Sequence, residues 1–237
     1  MYKEMTPLSM EKPENNLIIK KKGMLIALEG LDGAGKTTLS SLCVEELIKM
    51  GYNAEKFRNS SGYTAYWQSV MEAKRYMSQL HQPIPGEIDQ SLHAFEFLTY
   101  VRCTLPILLE ENDYVFCDRY VLGKMVLADM DTRKVNSWTK EMLKEMFKNG
   151  TVPKPDLNIY LHLSPEKARE RILKRGESLE LKEEMYMLKE AYSIFNKYQK
   201  EYQMTMIDCN KDKETIVNAI IDTTLSIEKD NIEYSIL

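Results

Sequence analysis

Several features that would place this 237-residue chain in a membrane or outside the cell are missing. The longest apolar runs, such as "MLIAL" and "TLPILL", are far shorter than the roughly 20 residues that span a bilayer. The N-terminal segment "MYKEMTPLSMEKPENNLIIKKKG" has no apolar core of the kind found in a signal peptide, and its composition predicts a mobile tail over residues 1–22. We therefore expect a cytoplasmic protein without a membrane partner.

The sequence also lacks paired cysteines and an excess of positive charge. The four cysteines, at positions 43, 103, 117 and 209, have no CxxC spacing, which predicts buried thiols in a reducing compartment rather than disulfides. The formal net charge is -4 at pH 7 and no basic stripe is present, so nucleic acid is not expected as the main partner.

What the chain does contain is an alternation of apolar strand-like runs and helical patterns. Strands are predicted at residues 23–29, 53–58, 113–117, 157–163 and 204–208. Helices are predicted at about residues 36–50, 64–80, 88–112, 137–148, 165–175, 182–203 and 213–228. This order is typical of βαβ units, and it predicts a single doubly wound α/β domain with a parallel sheet over residues 23–237.

The segment "LEGLDGAGKTTLSSL", residues 28–42, joins the first strand to the first helix and has the GxxxxGK[ST] spacing of a phosphate-binding P-loop. Glycines let such a loop curl so that its N–H groups face phosphate oxygens, and the helix that follows adds its positive dipole end. The pattern predicts that Lys36 reaches the β- and γ-phosphates of ATP and that the Thr37 hydroxyl binds Mg2+. The predicted ATP-binding residues are Gly30, Leu31, Asp32, Gly33, Ala34, Gly35, Lys36, Thr37 and Thr38.

Charged residues follow other predicted strands at the sheet edge where doubly wound folds bind ligands. Asp118 is predicted to organise Mg2+ and orient the attacking oxygen, and Arg119 to clamp the transferring phosphoryl group. Arg58 ends the second strand. A basic cluster before "GESLELKEE" predicts a closing lid at about residues 174–184, and its members are Arg169, Arg171, Lys174 and Arg175. A strand-end ion pair, a solvated surface arginine and a solvated helix end are the alternative interpretations of these groups.

A switch GTPase is the first competing class, because "NKDK" at residues 210–213 resembles the guanine-reading NKxD motif. The aspartate comes one position too early, and no DxxG follows the P-loop at a useful spacing. The GTPase interpretation is therefore discounted.

Four segments together resemble the thymidylate kinase family. They are "LEGLDGAGKTT", with an acidic residue inside the P-loop; "VFCDRY"; "KPDLNIYLHLSPEKARERILKRGE"; and "MIDCNKDKETIVNAI", which is similar to the strand, turn and helix that flank the adenine of ATP. The resemblance runs from about residue 23 to residue 228.

This resemblance implies a P-loop kinase fold with a five-stranded parallel sheet, helices on both faces and a short lid. It further implies transfer of the γ-phosphoryl group of ATP to a deoxynucleoside monophosphate, Mg2+ as cofactor, and a homodimer. By matching position, Asp32 would meet the acceptor's 3′-hydroxyl, and Arg58 and Arg119 would hold its phosphate. The predicted helix 88–112 is apolar on more than one face, as expected for a helix that packs on both its own core and a partner.

The chain departs from the family pattern where the acceptor base and the lid arginine are expected. Asn59 and Ser60 replace an acidic residue and a proline, and "VLGKMVLAD" stands after DRY in place of a serine and a tyrosine–glutamine pair. Phe95 (or Phe97) and Arg102 are the residues predicted to hold the base. No arginine lies in the P-loop or in "SLELKEE", so Arg171 and Arg175 are predicted to supply the transition-state cation, with Arg169 and Lys174 as substitutes.

Three functional hypotheses remain open on the sequence. The leading one is a nucleoside monophosphate kinase of the thymidylate kinase type that phosphorylates dTMP or a related acceptor. The second is a kinase for a nucleoside or another small hydroxyl acceptor, and the third is a module that binds ATP without turning it over.

Overall fold

Five parallel strands form one sheet in the order β2-β3-β1-β4-β5 in the computed structural model, which describes residues 23–58, 65–80, 86–130, 138–176 and 178–234. The predicted tail over residues 1–22 lies outside the described residues. The strands are β1 (Met24–Glu29), β2 (Ala54–Arg58), β3 (Tyr114–Asp118), β4 (Leu157–His162) and β5 (Thr205–Asp208). Each lies within one residue of its predicted bounds, and the predicted parallel α/β sheet is confirmed.

Helices connect and cover the strands. They are α1 (Lys36–Lys49), α2 (Ala65–Gln79), α3 (Gly86–Cys103), α4 (Leu105–Glu111), α5 (Val121–Asp129), α6 (Trp138–Lys148), α7 (Pro165–Lys174), α8 (Met185–Glu201) and α9 (Lys213–Tyr234), with a short 3-10 turn at Leu181–Glu183 before α8. The core lies between these helices and the sheet, and the side chains of β3 are buried along the whole strand.

Two parts of the helix prediction were wrong. The single helix expected over 88–112 is two helices that meet at Thr104, because Pro106 has no N–H to donate to the preceding turn. Helix α5 was not predicted at all. Its side chains are buried on nearly every side, so its sequence "VLGKMVLAD" has no amphipathic period to detect.

The register of the strands brings the predicted site residues to one edge of the sheet. Leu28, one residue before the end of β1, lies opposite Asp118, the last residue of β3. Asp118 lies in turn opposite Arg58, the last residue of β2. Because all three strands run in the same direction, the P-loop after β1, the Asp118–Arg119 pair and Arg58 lie at the same carboxyl edge.

One stretch of the described chain, Ser91–Glu111, is long and apolar enough to cross a membrane by length and composition alone. It covers most of α3 and all of α4, and it includes Phe97, Val101 and Leu105, which are buried in the core. A core helix of a soluble protein has the same composition, so this stretch does not indicate a membrane protein.

The four cysteines are all free. Cys43, Cys117 and Cys209 are buried as predicted, whereas Cys103 at the end of α3 is exposed. The prediction of a buried thiol is therefore wrong for Cys103.

Candidate active site

The P-loop has the backbone conformation that its glycines permit. Gly30, Gly33 and Gly35 have φ angles of 147°, 83° and 99°, which favour glycine over any residue with a β-carbon. A β-carbon on Gly33 would also lie only 2.6 Å from the carbonyl oxygen of Ala168 in α7. The glycines therefore serve both the curl of the loop and its close packing on α7.

Lys36, the first residue of α1, points back into the P-loop. Its side chain is only 6% exposed, and its Nζ donates to the carbonyl oxygens of Gly30 at 3.0 Å and Leu31 at 2.7 Å. Burial lowers the pKa of Lys36 to about 8, and the neighbouring Arg119 adds to this effect. A buried ammonium held by main-chain carbonyls can exchange them for phosphate oxygens at little cost in hydrogen bonding.

Thr37 and Asp118 come together beside this lysine. The Thr37 hydroxyl donates to Oδ2 of Asp118 at 2.5 Å, which joins the start of α1 to the end of β3. Hydroxyl and carboxylate oxygens are ligands that Mg2+ prefers, and Mg2+ usually takes only one or two protein ligands besides phosphates and water. Among the described residues no group of three or more His, Cys, Asp or Glu side chains is placed to hold a metal ion.

Asp32, inside the P-loop, lies among three cations. Arg119 forms an ion pair with it, and the Nζ atoms of Lys36 and Lys182 lie 3.9 Å and 3.8 Å from its carboxylate oxygens. Burial alone would raise the pKa of Asp32, but the charges of Arg119, Lys36 and Lys182 outweigh it and hold that pKa well below its usual range. The carboxylate is therefore ionised, and Asp118 and Glu29 also interact electrostatically with Arg119 and Lys36.

Glu29 holds the backbone next to Arg119 through hydrogen bonds. Arg119 itself has a left-handed φ of 66°. Oε1 of the fully buried Glu29 accepts hydrogen bonds from the N–H groups of Tyr120 at 3.0 Å and Gly123 at 2.9 Å. Burial raises the pKa of Glu29, and these two hydrogen bonds oppose that effect. Glu29 at the end of β1 thereby fixes the start of α5 and the turn that presents Arg119.

A cavity of about 1220 Å³ opens over this cluster, which exceeds the usual volume for one small ligand. Residues 32–38 of the P-loop line it. The rest of the lining belongs to two groups of elements, which we call its two arms. The first arm comprises lining residues on α7, after β5 and on α9: Arg171, Lys211, Lys213 and Ile216. The second arm comprises lining residues on α2, α3, α5 and α6, which pack on one another: Met71, Lys74, His93, Ala94, Lys124, Leu127, Ala128, Thr139 and Leu143.

The predicted lid segment is held by Glu183. This carboxylate, only 5% exposed, pairs with Arg175 and accepts from the N–H of Glu180 at 2.9 Å, while Arg169 donates to the Glu183 carbonyl at 2.6 Å. The same turn directs Lys182 toward Asp32. Lys182 also pairs with Glu180 at 3.0 Å, so its charge is shared between the lid segment and the P-loop.

Arg171 and Arg175, which the sequence predicted as the lid arginines, both line the cavity. Each of them already binds other groups of the protein. Arg175 is neutralised by Glu183. Arg171 donates to the carbonyl oxygens of Cys209 at 2.7 Å and Gly33 at 3.5 Å, which places it between the P-loop and the end of β5.

The structure does not bring Phe95 and Arg102 to the cavity. Phe95 is 48% exposed, and Arg102 is exposed and donates to the Thr151 carbonyl at 3.3 Å. Both lie on the outer face of α3, because Ala94, Phe97, Leu98 and Val101 occupy the face that packs on the core. Phe97 is buried in that core and packs edge-on against Tyr120.

Three site residues were missed from the sequence: Glu29, Lys124 and Lys182. Glu29 belongs to the quoted segment "LEG", and its charge at the end of an otherwise apolar strand was the available signal. Lys124 and Lys182 belong to no recognisable motif, and only the packing of the folded chain brings them to the cavity.

Comparison with known proteins agrees with this geometry. The family model described as "Thymidylate kinase" matches residues 28–220. A thymidylate kinase of Exiguobacterium is 28% identical, over 86% of this chain and 94% of its own length. A probable thymidylate kinase of Archaeoglobus fulgidus is 29% identical over 88% of this chain and 100% of its own length, and a thymidylate kinase of Leptospira interrogans is 28% identical over 87% and 96%. Because the family model covers most of the sequence and the P-loop, DRY segment and cavity lie where that model matches, this chain belongs to the thymidylate kinase family.

Proposed function

We propose that this protein transfers the γ-phosphoryl group of ATP to a deoxynucleoside 5′-monophosphate, with dTMP as the first candidate. The observation that carries the proposal is the convergence of Arg119, Lys36 and Lys182 on Asp32, over the P-loop residues that line the cavity. A guanidinium and two ammonium groups over the P-loop suit the meeting of two phosphate chains, because each can bind phosphate oxygens. A neutral nucleoside hydroxyl would give no reason for three cations at this point.

ATP is assigned to the P-loop and the arm lined from the β5 side. Lys36 would leave the carbonyl oxygens of Gly30 and Leu31 and bind the β- and γ-phosphates. Thr37 and Asp118 would hold Mg2+, which neutralises charge on the phosphates when it is bound. Asp118 also orients the attacking oxygen of the acceptor.

The acceptor is assigned to the arm lined by α2, α3, α5 and α6. Arg119, with Arg58 at the end of β2, is proposed to hold the 5′-phosphate, since the planar guanidinium binds such a group in a bidentate manner. Asp32 would accept a hydrogen bond from the sugar's 3′-hydroxyl. Lys182, on the segment before α8, would stabilise the charge of the transferring phosphoryl group, and residues of about 174–184 would act as the lid.

A homodimer and a cytoplasmic location complete the proposal. The large apolar residues Ile88 and Phe95 lie seven residues apart on α3 and are 49% and 48% exposed, on a face that does not line the cavity. This face supports packing against a second copy of the chain. The four free cysteines fit a reducing compartment.

The test is an ATP-consumption assay with Mg2+ over deoxynucleoside monophosphates and the corresponding free nucleosides. We expect turnover with at least one monophosphate, and Lys36→Ala should lower it by about a hundredfold or more, since the variant loses the cation on the β,γ-bridge. Circular dichroism of the variant controls for folding. Equal use of free nucleosides would support the nucleoside kinase hypothesis instead, and ATP binding without any turnover would support the binding module.

A further inference from the structure

Glu183 is the buried carboxylate of the segment that joins α7 to α8. Of the charged residues described at positions 178–184, it alone is buried. Its Oε1 pairs with Arg175 directly after α7, and its Oε2 accepts a hydrogen bond from the N–H of Glu180 at 2.9 Å. The N–H of Glu183 donates in turn to the carbonyl oxygen of Glu180 at 2.9 Å. The carboxylate therefore closes the turn over residues 180–183 and joins it to the end of α7.

A second arginine of α7 holds the same turn through its backbone. Arg169 donates to the carbonyl oxygen of Glu183 at 2.6 Å and pairs with Glu184 at 3.4 Å. Helix α7 itself packs on the P-loop, since a β-carbon on Gly33 would lie only 2.6 Å from the carbonyl oxygen of Ala168. The turn is thus attached to a helix whose distance from the P-loop is fixed by close packing.

Lys182, the residue before Glu183, is directed toward the P-loop. Its Nζ lies 3.8 Å from Oδ2 of Asp32 and 3.0 Å from Oε2 of Glu180. The side chain of Glu180 is 65% exposed, whereas that of Asp32 is 19% exposed. Because the stem of a lysine is flexible, the position of its backbone decides whether the ammonium stays over the P-loop or follows Glu180 into solvent. A displacement of about 1 Å in such a group can cost about a hundredfold in rate.

We propose that Glu183 is a positioning residue for phosphoryl transfer, because it joins the turn over residues 180–183 to Arg175 and so keeps Lys182 over the P-loop. The inference rests on the proposed function, in which Lys182 stabilises the transferring phosphoryl group. Glu183 does not line the cavity, so it acts through Lys182 and not by contact with a substrate. A merely structural role would have the same effect on kcat whether or not Lys182 is present.

The experiment is a double-mutant cycle on kcat with ATP, Mg2+ and the deoxynucleoside monophosphate that the wild type uses best. Glu183→Gln keeps the shape of the side chain and removes its charge. It should lower kcat by about tenfold and change the KM for ATP by less than about threefold, since Lys182 acts in the transition state. In the Lys182→Met chain the same substitution should lower kcat by less than about twofold, because no ammonium is left to position. Glu166→Gln is the matched control, since Glu166 is 64% exposed at the start of α7, and its kcat should stay within about twofold of the wild-type value.

Hydrogen exchange followed by mass spectrometry reports on the turn without any turnover. Residues 178–184 should exchange about tenfold faster in Glu183→Gln than in the wild type, while α8 keeps its wild-type exchange. If Glu183→Gln does not fold by circular dichroism, Arg175→Gln breaks the same ion pair from its exposed side. It should then show the same faster exchange and the same dependence on Lys182.

The inference is overturned by a wild-type kcat in the variant that breaks the ion pair, by an equal loss of kcat with and without Lys182, by a kcat that Lys182→Met leaves unchanged, or by unchanged exchange of residues 178–184. Failure of the proposed function looks different, since then the wild type phosphorylates no monophosphate. The exchange measurement alone then decides. Faster exchange supports Glu183 as the residue that holds the turn, and unchanged exchange removes it.

Discussion

Three cations surround Asp32. Arg119 pairs with it directly, and Lys36 and Lys182 lie within 4 Å. The proposed function places the transferring phosphoryl group over the same part of the P-loop, where these cations would stabilise it. Among them only Lys182 belongs to the segment before α8, and it is therefore the residue that a moving lid would bring to the reaction.

Replacing Lys182 tests this role. Lys182→Met should lower kcat by about 10- to 100-fold and leave the KM for ATP nearly unchanged, because the lost charge acts in the transition state. Lys189→Met is the matched control, since Lys189 of α8 is 61% exposed and its Nζ lies 3.9 Å from a carboxylate oxygen of Glu166. Steady-state kinetics of both variants decide the point. If the Lys182 variant and the control have equal kcat values, the stabilising cation is instead Arg171 or Arg175. Single alanine substitutions of these two arginines would then identify it.

The pKa of Lys36 predicts a pH dependence for ATP capture. In the free protein burial lowers this pKa to about 8, so the ammonium loses its proton as the pH rises above that value. We therefore expect kcat/KM for ATP, which reports the free enzyme, to decrease above about pH 8. The value of kcat should stay constant to higher pH, because bound phosphates raise the pKa of the lysine. A kcat/KM for ATP that is constant from about pH 7 to 9.5 would contradict this prediction.

Sequence patterns located the cluster at the start of α1 but not two of the lysines that line the cavity. Lys36, Thr37 and Asp118 belong to motifs whose spacing has a physical reason, and all three line the cavity, where Thr37 donates a hydrogen bond to Asp118. Lys182 and Lys124 belong to no motif, and they reach the cavity only through the packing of elements that are distant in sequence.

Helix α5 depends on a single buried carboxylate for its starting point. Glu29 satisfies the N–H groups of Tyr120 and Gly123, and a β-carbon on Gly123 would lie only 2.4 Å from Oε2 of Glu29. Oε2 itself has no hydrogen-bond partner among the described residues. The helix is therefore held by Oε1 and by close packing, and it presents Arg119 through the turn that precedes it.

Two substitutions of Glu29 separate these contributions. Glu29→Ala leaves two buried N–H groups without a partner and should lower the free energy of unfolding by about 2 kcal/mol or more. Glu29→Gln keeps an oxygen for both N–H groups and should cost less than about 1 kcal/mol. Urea denaturation followed by circular dichroism measures both. Similar losses in the two variants would mean that the negative charge, rather than the hydrogen bonds, holds α5.

Sequence patterns located the strands best, because the central strands are covered on both faces. The strands are short, nearly continuous apolar runs, and all were found within one residue of their bounds. Predicting which face of α3 meets the cavity was harder. Phe95 and Arg102 were assigned to the site, although both lie on the outer face of the helix. A sequence gives the period of a helix more reliably than the face that meets a ligand.

That outward face bears on the assembly of the protein. Ile88 and Phe95 lie two helical turns apart on α3, are about half exposed and do not line the cavity. Apolar side chains in such a row lose contact with water if a second copy packs against α3. The apolar composition of α3 is then explained by two interfaces, one with the core and one with a partner.

The proposed homodimer predicts that charge placed in this face separates the two copies. Phe95→Glu is expected to convert a dimer to a monomer in size-exclusion chromatography with light scattering, because removing a carboxylate from water at the interface is costly. Ile48→Glu is the control, since Ile48 is 54% exposed on α1 and should leave the mass unchanged. The milder variant Phe95→Leu distinguishes an interface role of Phe95 from base stacking. If Phe95 lies at the interface, the KM for the acceptor should be nearly unchanged at protein concentrations where the dimer persists. If Phe95→Leu raises the KM for the acceptor and leaves the mass unchanged, Phe95 belongs to the acceptor site, as the sequence predicted. If the wild type is a monomer, the exposed face of α3 does not pack against a second copy of the chain.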